Sequence, residues 1–386
     1  MVPALVVLAD GTSFTGEALG YEGKTTGEAV FNTSMSGYQE ILTDPSYRGQ
    51  LVTMTMPHIG NYGVNPYDVE SDRIQVAGLI VRQASRIASS WRATATLHEY
   101  LVDGKTSAIT GVDTRALTRH IRDGGAQMGA IVHGATPSDV PAIVEMIRNT
   151  PEYGTIDYVA AVSTPVKKKV RLVATPDPFC PWVVTLLDDS APWTAEEALL
   201  PEVSVIDFGV KHSILRYLTL QRMRVTLWPH TTTAEQILKS GATSIMLSNG
   251  PGDPALMDHA VATTRQLLGT MPMFGICLGH QIIGRALGGT TFKLKFGHRG
   301  PNQPVMYEAE RRVQITAQNH GYAVQIEPDA DVQISHRNLN DGTCEGLLSN
   351  RLRVMSVQHH PEAGPGPHDA LVEFERFRQW VSMTES

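Results

Sequence analysis

A chain of 386 residues is two to three times the length of one ordinary domain, so two compact units are expected. Hydrophobic residues make up 42% and charged residues 18%, and no apolar run approaches the roughly 18–20 residues that a bilayer span needs, which excludes a transmembrane role. A formal net charge of −7 argues against nucleic acid or an anionic membrane as the main partner, because both are bound through clustered Lys and Arg.

Residues 1–150 are broken by turn pairs such as Asp10-Gly11, Ser36-Gly37 and Asp44-Pro45 between short β-type runs at 5–8 and 51–54, the pattern of a strand-rich mixed α/β domain. Helices are expected over 93–101, over 113–122 with Asp113 as N-cap, and over 141–147. From 151 to 200 the periodicity fails and prolines accumulate at 165, 176, 178, 181 and 192, which reads as a connector. The basic run Lys167-Lys168-Lys169 with Arg171 lies there and is expected to be solvated.

From 201 to 386 the pattern changes. Short apolar runs at 203–206, 225–228, 244–247 and 273–276 alternate with amphipathic stretches at 213–220, 234–238 and 258–268, which implies a parallel sheet covered by helices. Later runs at 291–295, 313–316, 332–335 and 354–357 suit an antiparallel extension, and an amphipathic helix is expected over 368–381. Cys180, Cys277 and Cys344 are odd in number and lack any CxxC or Cys/His ligand spacing, so neither a disulfide framework nor a metal site is expected. The start Val2-Pro3-Ala4-Leu5-Val6 lacks the marks of a signal or transit peptide, which makes the cytoplasm the expected compartment.

Three motifs carry chemistry. Gly275-Ile276-Cys277-Leu278-Gly279 joins the run at 273–276 to the helical pattern 281–287, so Cys277 occupies a strand-to-helix turn, the cysteine counterpart of a nucleophile elbow. The flanking glycines permit the reversal, and the helix start offers N–H groups and a positive dipole end to a thiolate or an oxyanion. A thiol at neutral pH needs a base and a group to orient that base. Gln358-His359-His360-Pro361-Glu362 offers both, because Pro361 holds His360 and Glu362 at extended spacing where both side chains can share a face. The third motif is Leu247-Ser248-Asn249-Gly250-Pro251-Gly252-Asp253-Pro254, in which the backbone N–H of Gly250 or Gly252 can join that of Leu278 as an oxyanion hole. One such donor is worth about 10²–10³ in rate. Taken singly, these are a buried cysteine beside turn glycines, a pair of loop histidines or adventitious metal site, and an ordinary Gly/Pro turn. Together, at the C-terminal ends of strands in one α/β domain, they point to a nucleophilic site.

Gly275-Ile276-Cys277-Leu278-Gly279-His280-Gln281, the Ser-Asn-Gly-Pro-Gly-Asp-Pro turn and His360-Pro361-Glu362 resemble the signature of class I, triad-type glutamine amidotransferases. Four further stretches resemble the carbamoyl phosphate synthetase small-subunit family: 296–305, Gln318-Asn319-His320-Gly321-Tyr322-Ala323, 35–47 and 111–119. The resemblance spans the chain except roughly 155–200. It implies a class I amidotransferase domain over 201–386, with a mostly parallel sheet flanked by helices, and a separate N-terminal domain over 1–150 that meets a large subunit in a heterodimer. It also implies that Cys277 attacks the amide of L-glutamine, His360 relays the proton to departing ammonia and Glu362 orients His360. Glutamine would be held by Ser46, Gly250, Gly252, Leu278, Gln281, Asn319, Gly321 and Tyr322. His359 stands where many members have glycine, and Tyr322 where phenylalanine is common; His359→Gly is expected to be nearly silent.

No phosphate-binding loop is present, since Ala18 stands where a glycine would be needed before Gly23-Lys24-Thr25. No cofactor is therefore expected on this chain. ATP and Mg belong, by the resemblance, to the large subunit, which turns the ammonia and bicarbonate into carbamoyl phosphate for pyrimidine or arginine synthesis. Three other readings remain at this level: an amidotransferase serving anthranilate, GMP or CTP synthesis, a regulatory subunit with a vestigial triad, and a Cys-His hydrolase of γ-glutamyl compounds.

Overall fold

Strands that are apolar on successive residues must be covered on both faces, and both parts of this chain are built from such strands. In the computed structural model, which describes residues 2–383, the chain up to Ile156 groups with Lys295–Gly300, and Asp157–Leu294 groups with the chain from Pro301 onward.

In the first unit a seven-stranded closed barrel runs in the order Pro3–Leu8, Ser13–Gly20, Ser107–Thr110, Gly78–Ile80, Gln50–Met54, Lys24–Asn32 and Gln127–His133. The pairings Lys24–Asn32 to Gln50–Met54 to Gly78–Ile80 to Ser107–Thr110 are parallel, and the others are antiparallel. Neighbouring residues go to opposite faces: Ala29, Leu51, Ile80 and Ile109 pack in one cluster and Val30, Val52, Leu79 and Ala108 in another. The helix Thr114–Gly124 starts where expected, with the Asp113 carboxylate accepting the Ala116 N–H at 3.0 Å. The helix expected from 93 instead runs Leu97–Asp103, because Thr96 and Glu99 form a reciprocal capping box and Ala95 is held in a β-bridge with Val64.

The second unit is organised on an eleven-stranded sheet. Its order is Trp182–Asp188, Lys168–Ala174, Arg224–Pro229, Glu202–Asp207, Ser244–Leu247, Met273–Ile276, Val354–Val357, Cys344–Ser349, Arg312–Gln325, Thr290–Tyr307 and Gln333–Asn338. Successive residues again divide between faces: Val205, Met246, Phe274, Ile276 and Val357 lie in one core, and Ile206, Ile245, Leu247, Met273 and Val354 in the other.

Three further features differ from the sequence reading. The stretch 151–200, expected as a connector, contributes the antiparallel hairpin Lys168–Ala174 with Trp182–Asp188 at the sheet's edge. Its prolines flank the strands instead of interrupting them, and apart from the buried Val170 the apolar residues of the two strands are partly or fully exposed, so no alternation shows. The basic run is spent along this edge, with Lys168 on Asp188 at 2.6 Å and Arg171 on Glu197 at 2.8 Å. Secondly, Val354–Val357 is parallel to Met273–Ile276, with Ile276 opposite Val357, and the antiparallel part begins only at Cys344–Ser349. All four residues of Val354–Val357 are buried, as befits a central strand covered on both sides. The terminal helix begins at Val372 and not at 368. Among the described residues no helix is long and apolar enough to cross a membrane.

Candidate active site

The parallel pairing of Met273–Ile276 with Val354–Val357 creates the site. Because Ile276 lies opposite Val357, the Cys277 N–H donates to the Val357 carbonyl at 2.9 Å, and the chain that leaves Val357 carries His360 and Glu362 past the same end of the sheet. Cys277 itself has φ 53° and ψ −104°, a left-handed conformation that a side chain seldom adopts. The strain is held by the strand on one side and the helix Leu278–Ala286 on the other, as in a nucleophile elbow. Close approach explains two of the motif glycines. A Cβ at Gly279 would collide with the Leu247 carbonyl, and one at Gly250 with the Phe208 carbonyl.

The Gly250 turn is thereby fixed against the elbow. Gly279 N–H donates to Ser248 O at 3.0 Å, and Gly250 lies beside the Leu278 side chain. The first N–H groups of a helix have no partner within it, and Leu278 is the first residue of this one. Leu278 follows Cys277 directly in the chain, and its side chain lies beside the Gly250 turn.

His360 and Glu362 are both buried, and Nδ1 of His360 lies 2.6 Å from Glu362 Oε1. The bond fixes the ring through Nδ1, and Nε2 makes no protein hydrogen bond of ordinary geometry. Burial opposes charge on the imidazole, but the Glu362 carboxylate and the nearby Cys277 thiol outweigh it and hold its pKa above the usual histidine range. The thiol also points its proton at the Asn319 carbonyl, 3.7 Å away.

Lys211 completes the group, and the sequence reading missed it. Its Nζ is 3.1 Å from Glu362 Oε1 and 3.1 Å from the Gly364 carbonyl, with the side chain only 2% exposed. Burial would push the Glu362 carboxyl up, yet Lys211 and His360 together hold it below the ordinary carboxylate range. The available signal was a lysine just past the apolar strand Glu202–Asp207, followed by a helix start. Its N–H donates to the Asn249 side chain at 3.1 Å, so the Ser-Asn-Gly turn also places Lys211.

Asn319, Gly321 and Tyr322 lie on the strand Arg312–Gln325, and Ala317 on the same strand accepts the His360 N–H at 2.8 Å. Gln281 reaches this strand from the elbow helix: its Nε2 donates to the Tyr322 carbonyl at 2.9 Å and to Gln358 Oε1 at 3.0 Å. Cys277, His360, Glu362, Gly250, Gly252, Leu278, Gln281, Asn319, Gly321 and Tyr322 thus all belong to the second unit. Ser46 belongs to the first, where it sits buried in the turn Pro45–Tyr47 with its N–H on Asp44 Oδ1 at 2.9 Å.

Comparison with known proteins bears on the whole chain. Residues 6–131 match the family described as "Carbamoyl-phosphate synthase small chain, CPSase domain", and residues 204–380 match "Glutamine amidotransferase class-I". A carbamoyl phosphate synthase small chain of Syntrophotalea carbinolica is 49% identical over 97% of this chain and 96% of its own length. Those of Solidesulfovibrio magneticus and Thermus thermophilus are 45% and 43% identical, each over 98% of this chain and over 98% and 93% of their own lengths.

Proposed function

This chain belongs to the carbamoyl phosphate synthase small-chain family, and from that premise and the geometry around Cys277 we propose how it serves as the glutamine-hydrolysing subunit. Cys277 Sγ attacks the side-chain amide carbon of L-glutamine. The carbonyl oxygen, now negative, is met by N–H groups of Leu278 and of the Gly250 to Gly252 turn. His360 Nε2 passes the thiol's proton to the departing nitrogen, so the C–N bond breaks with ammonia as the leaving group and a glutamyl thioester on Cys277 remains. Water, deprotonated by the same nitrogen, then opens the thioester to glutamate and restores the thiol. Glu362 holds the imidazole's orientation and balances its charge, and Lys211 balances Glu362. Gln281, Asn319, Gly321 and Tyr322 are proposed to hold the substrate.

The observation that carries this reading is the strained Cys277 elbow set beside a buried His360 whose Nδ1 is committed to Glu362. An intact constellation of this kind disfavours a vestigial triad. The ammonia is proposed to pass to a large-chain partner that binds ATP and Mg and makes carbamoyl phosphate for pyrimidine or arginine synthesis. Cys277→Ser tests it: in the reconstituted complex, glutamine-dependent synthesis is expected to vanish while ammonia-dependent synthesis persists. Equal loss of both would overturn the assignment.

A further inference from the structure

Glu345, on the strand Cys344–Ser349, is fully buried and takes no part in the proposed reaction. A carboxylate removed from water has to be compensated by hydrogen bonds and opposite charge. Its Oε1 accepts from Asn338 Nδ2 at 3.0 Å and its Oε2 from Gln318 Nε2 at 3.0 Å. His359 Nδ1 is 3.9 Å from Oε2, beyond hydrogen-bond reach, and burial together with the neighbouring His336, His360 and His280 keeps that ring neutral.

Gln318 extends the chain of contacts. Its Oε1 lies 2.8 Å from His320 Nε2, and His320 Nδ1 lies 2.8 Å from the Tyr322 carbonyl. A carbonyl only accepts, so Nδ1 carries a proton. The Gln318 amide presents its NH₂ to Glu345, so its oxygen faces Nε2, which must then carry a proton too. Turning the amide over would place two acceptors together at Glu345 unless that carboxyl took the proton. Imidazole is ordinarily the more basic of the two, and the NH₂ groups of both Asn338 and Gln318 already point at the carboxylate. The proton therefore rests on the ring.

The contacts also close on themselves around the substrate strand. The Tyr322 carbonyl accepts from Gln281 as well as from His320; Gln281 donates to Gln358; and the Gln358 N–H donates to the Glu345 carbonyl at 2.8 Å. His320 stands between Asn319, whose carbonyl faces the Cys277 sulfur, and Gly321.

We infer that Glu345 is a positioning residue for the glutamine site: through Gln318 it holds His320 as a doubly hydrogen-bonded imidazolium, which pins the backbone of residues 319–322 beside Cys277. The inference rests on the reading that this strand lines the glutamine site. Glu345→Gln keeps the shape and removes the charge. His320 then reverts to a neutral ring, and either the Tyr322 carbonyl or Gln318 loses its hydrogen bond from His320. Displacing a substrate-positioning group by a fraction of an ångström to 1 Å corresponds to about a 10- to 100-fold penalty.

The test is ¹⁵N NMR of the full chain labelled at its 14 histidines, with the His320 signals assigned by their loss in His320→Asn, alongside steady-state kinetics of the complex. Near pH 7.5 both His320 nitrogens are expected to resonate as protonated, and one to become unprotonated in Glu345→Gln. The variant's KM for glutamine is expected to rise about 10- to 100-fold, with a smaller change in kcat and ammonia-dependent synthesis intact. A neutral His320 in the unmodified chain overturns the charge assignment, and this reading needs no variant to fold. An unchanged KM in Glu345→Gln overturns the positioning role. The NMR signature stands apart from activity, so failure of the glutaminase reading, seen with Cys277→Ser, would not be mistaken for failure of this one.

Discussion

Lys211 transfers no proton in the proposed reaction, yet it carries much of the site's electrostatic balance. Removing one partner of a buried ion pair typically costs about 3–5 kcal/mol, so Lys211→Met is expected to lower the urea midpoint sharply and to let the Glu362 carboxyl rise toward its ordinary value. Within the triad, His360→Ala should be nearly as damaging as loss of Cys277, whereas Glu362→Ala should leave measurable glutamine hydrolysis, because it orients the base without exchanging protons. Kinetics on the folded variants decides this ranking. His359→Gly, expected from sequence to be nearly silent in catalysis, is expected to cost stability: His359 is fully buried, with its ring 5.5 Å from that of His336, so the substitution opens a cavity and should cost about 2–5 kcal/mol in urea unfolding. Burial also depresses His280 to about 3 from an ordinary 6.5, and it pushes His359 well below the ordinary histidine value too. The unfolded chain therefore binds more protons than the folded one below pH 6.5, and stability should fall as pH drops through that window, by up to about 1.4 kcal/mol per pH unit for each ring. His360 acts with the opposite sign, since its raised pKa contributes stability that is present below 6.5 and lost as pH rises through the folded value. Urea midpoints across pH should thus peak near neutrality, and His280→Asn should make the acid limb shallower.

At the scale of elements, the elbow depends on the strand and helix meeting with no room for a side chain. Gly279→Ala would drive a methyl into the Leu247 carbonyl, so it is expected to shift the helix Leu278–Ala286, lower stability and abolish glutamine hydrolysis even though Cys277 is untouched. Retention of full activity by a folded Gly279→Ala chain would show that the elbow tolerates movement. In the first unit, Asp113→Ala removes the cap of Thr114–Gly124 and should cost about 1 kcal/mol in thermal or urea unfolding with no direct effect on chemistry. Elements with a strong local period were legible in advance: the strands Ser244–Leu247 and Met273–Ile276 and the helices Thr114–Gly124 and His212–Leu220 lie within a residue or two of where apolar spacing puts them. The edge hairpin of Lys168–Ala174 with Trp182–Asp188 was not legible, because an edge strand half exposed on its faces needs no alternation.

For the whole molecule, membership of a small-chain family implies a large-chain partner. The isolated chain is accordingly expected to release glutamate slowly and to accelerate with its large-chain partner, most of all with ATP and bicarbonate present; a fully active, unresponsive chain would refute that coupling. The sequence by itself determined the two-part organisation, the alternation of strands and helices in the second part, and the chemistry-bearing turns at Cys277, Gly250 and His360. Those signals are local: apolar period, glycine and proline at reversals, and side chains whose spacing is set by the backbone between them. The tertiary structure alone decided that Val354–Val357 lies parallel to Met273–Ile276, which brings His360 to Cys277, that Lys211 backs Glu362, and that Glu345 reaches His320 through Gln318. These depend on which strands pair and in what register, a choice made by burying both faces of the sheet at once and by satisfying every polar group trapped between them.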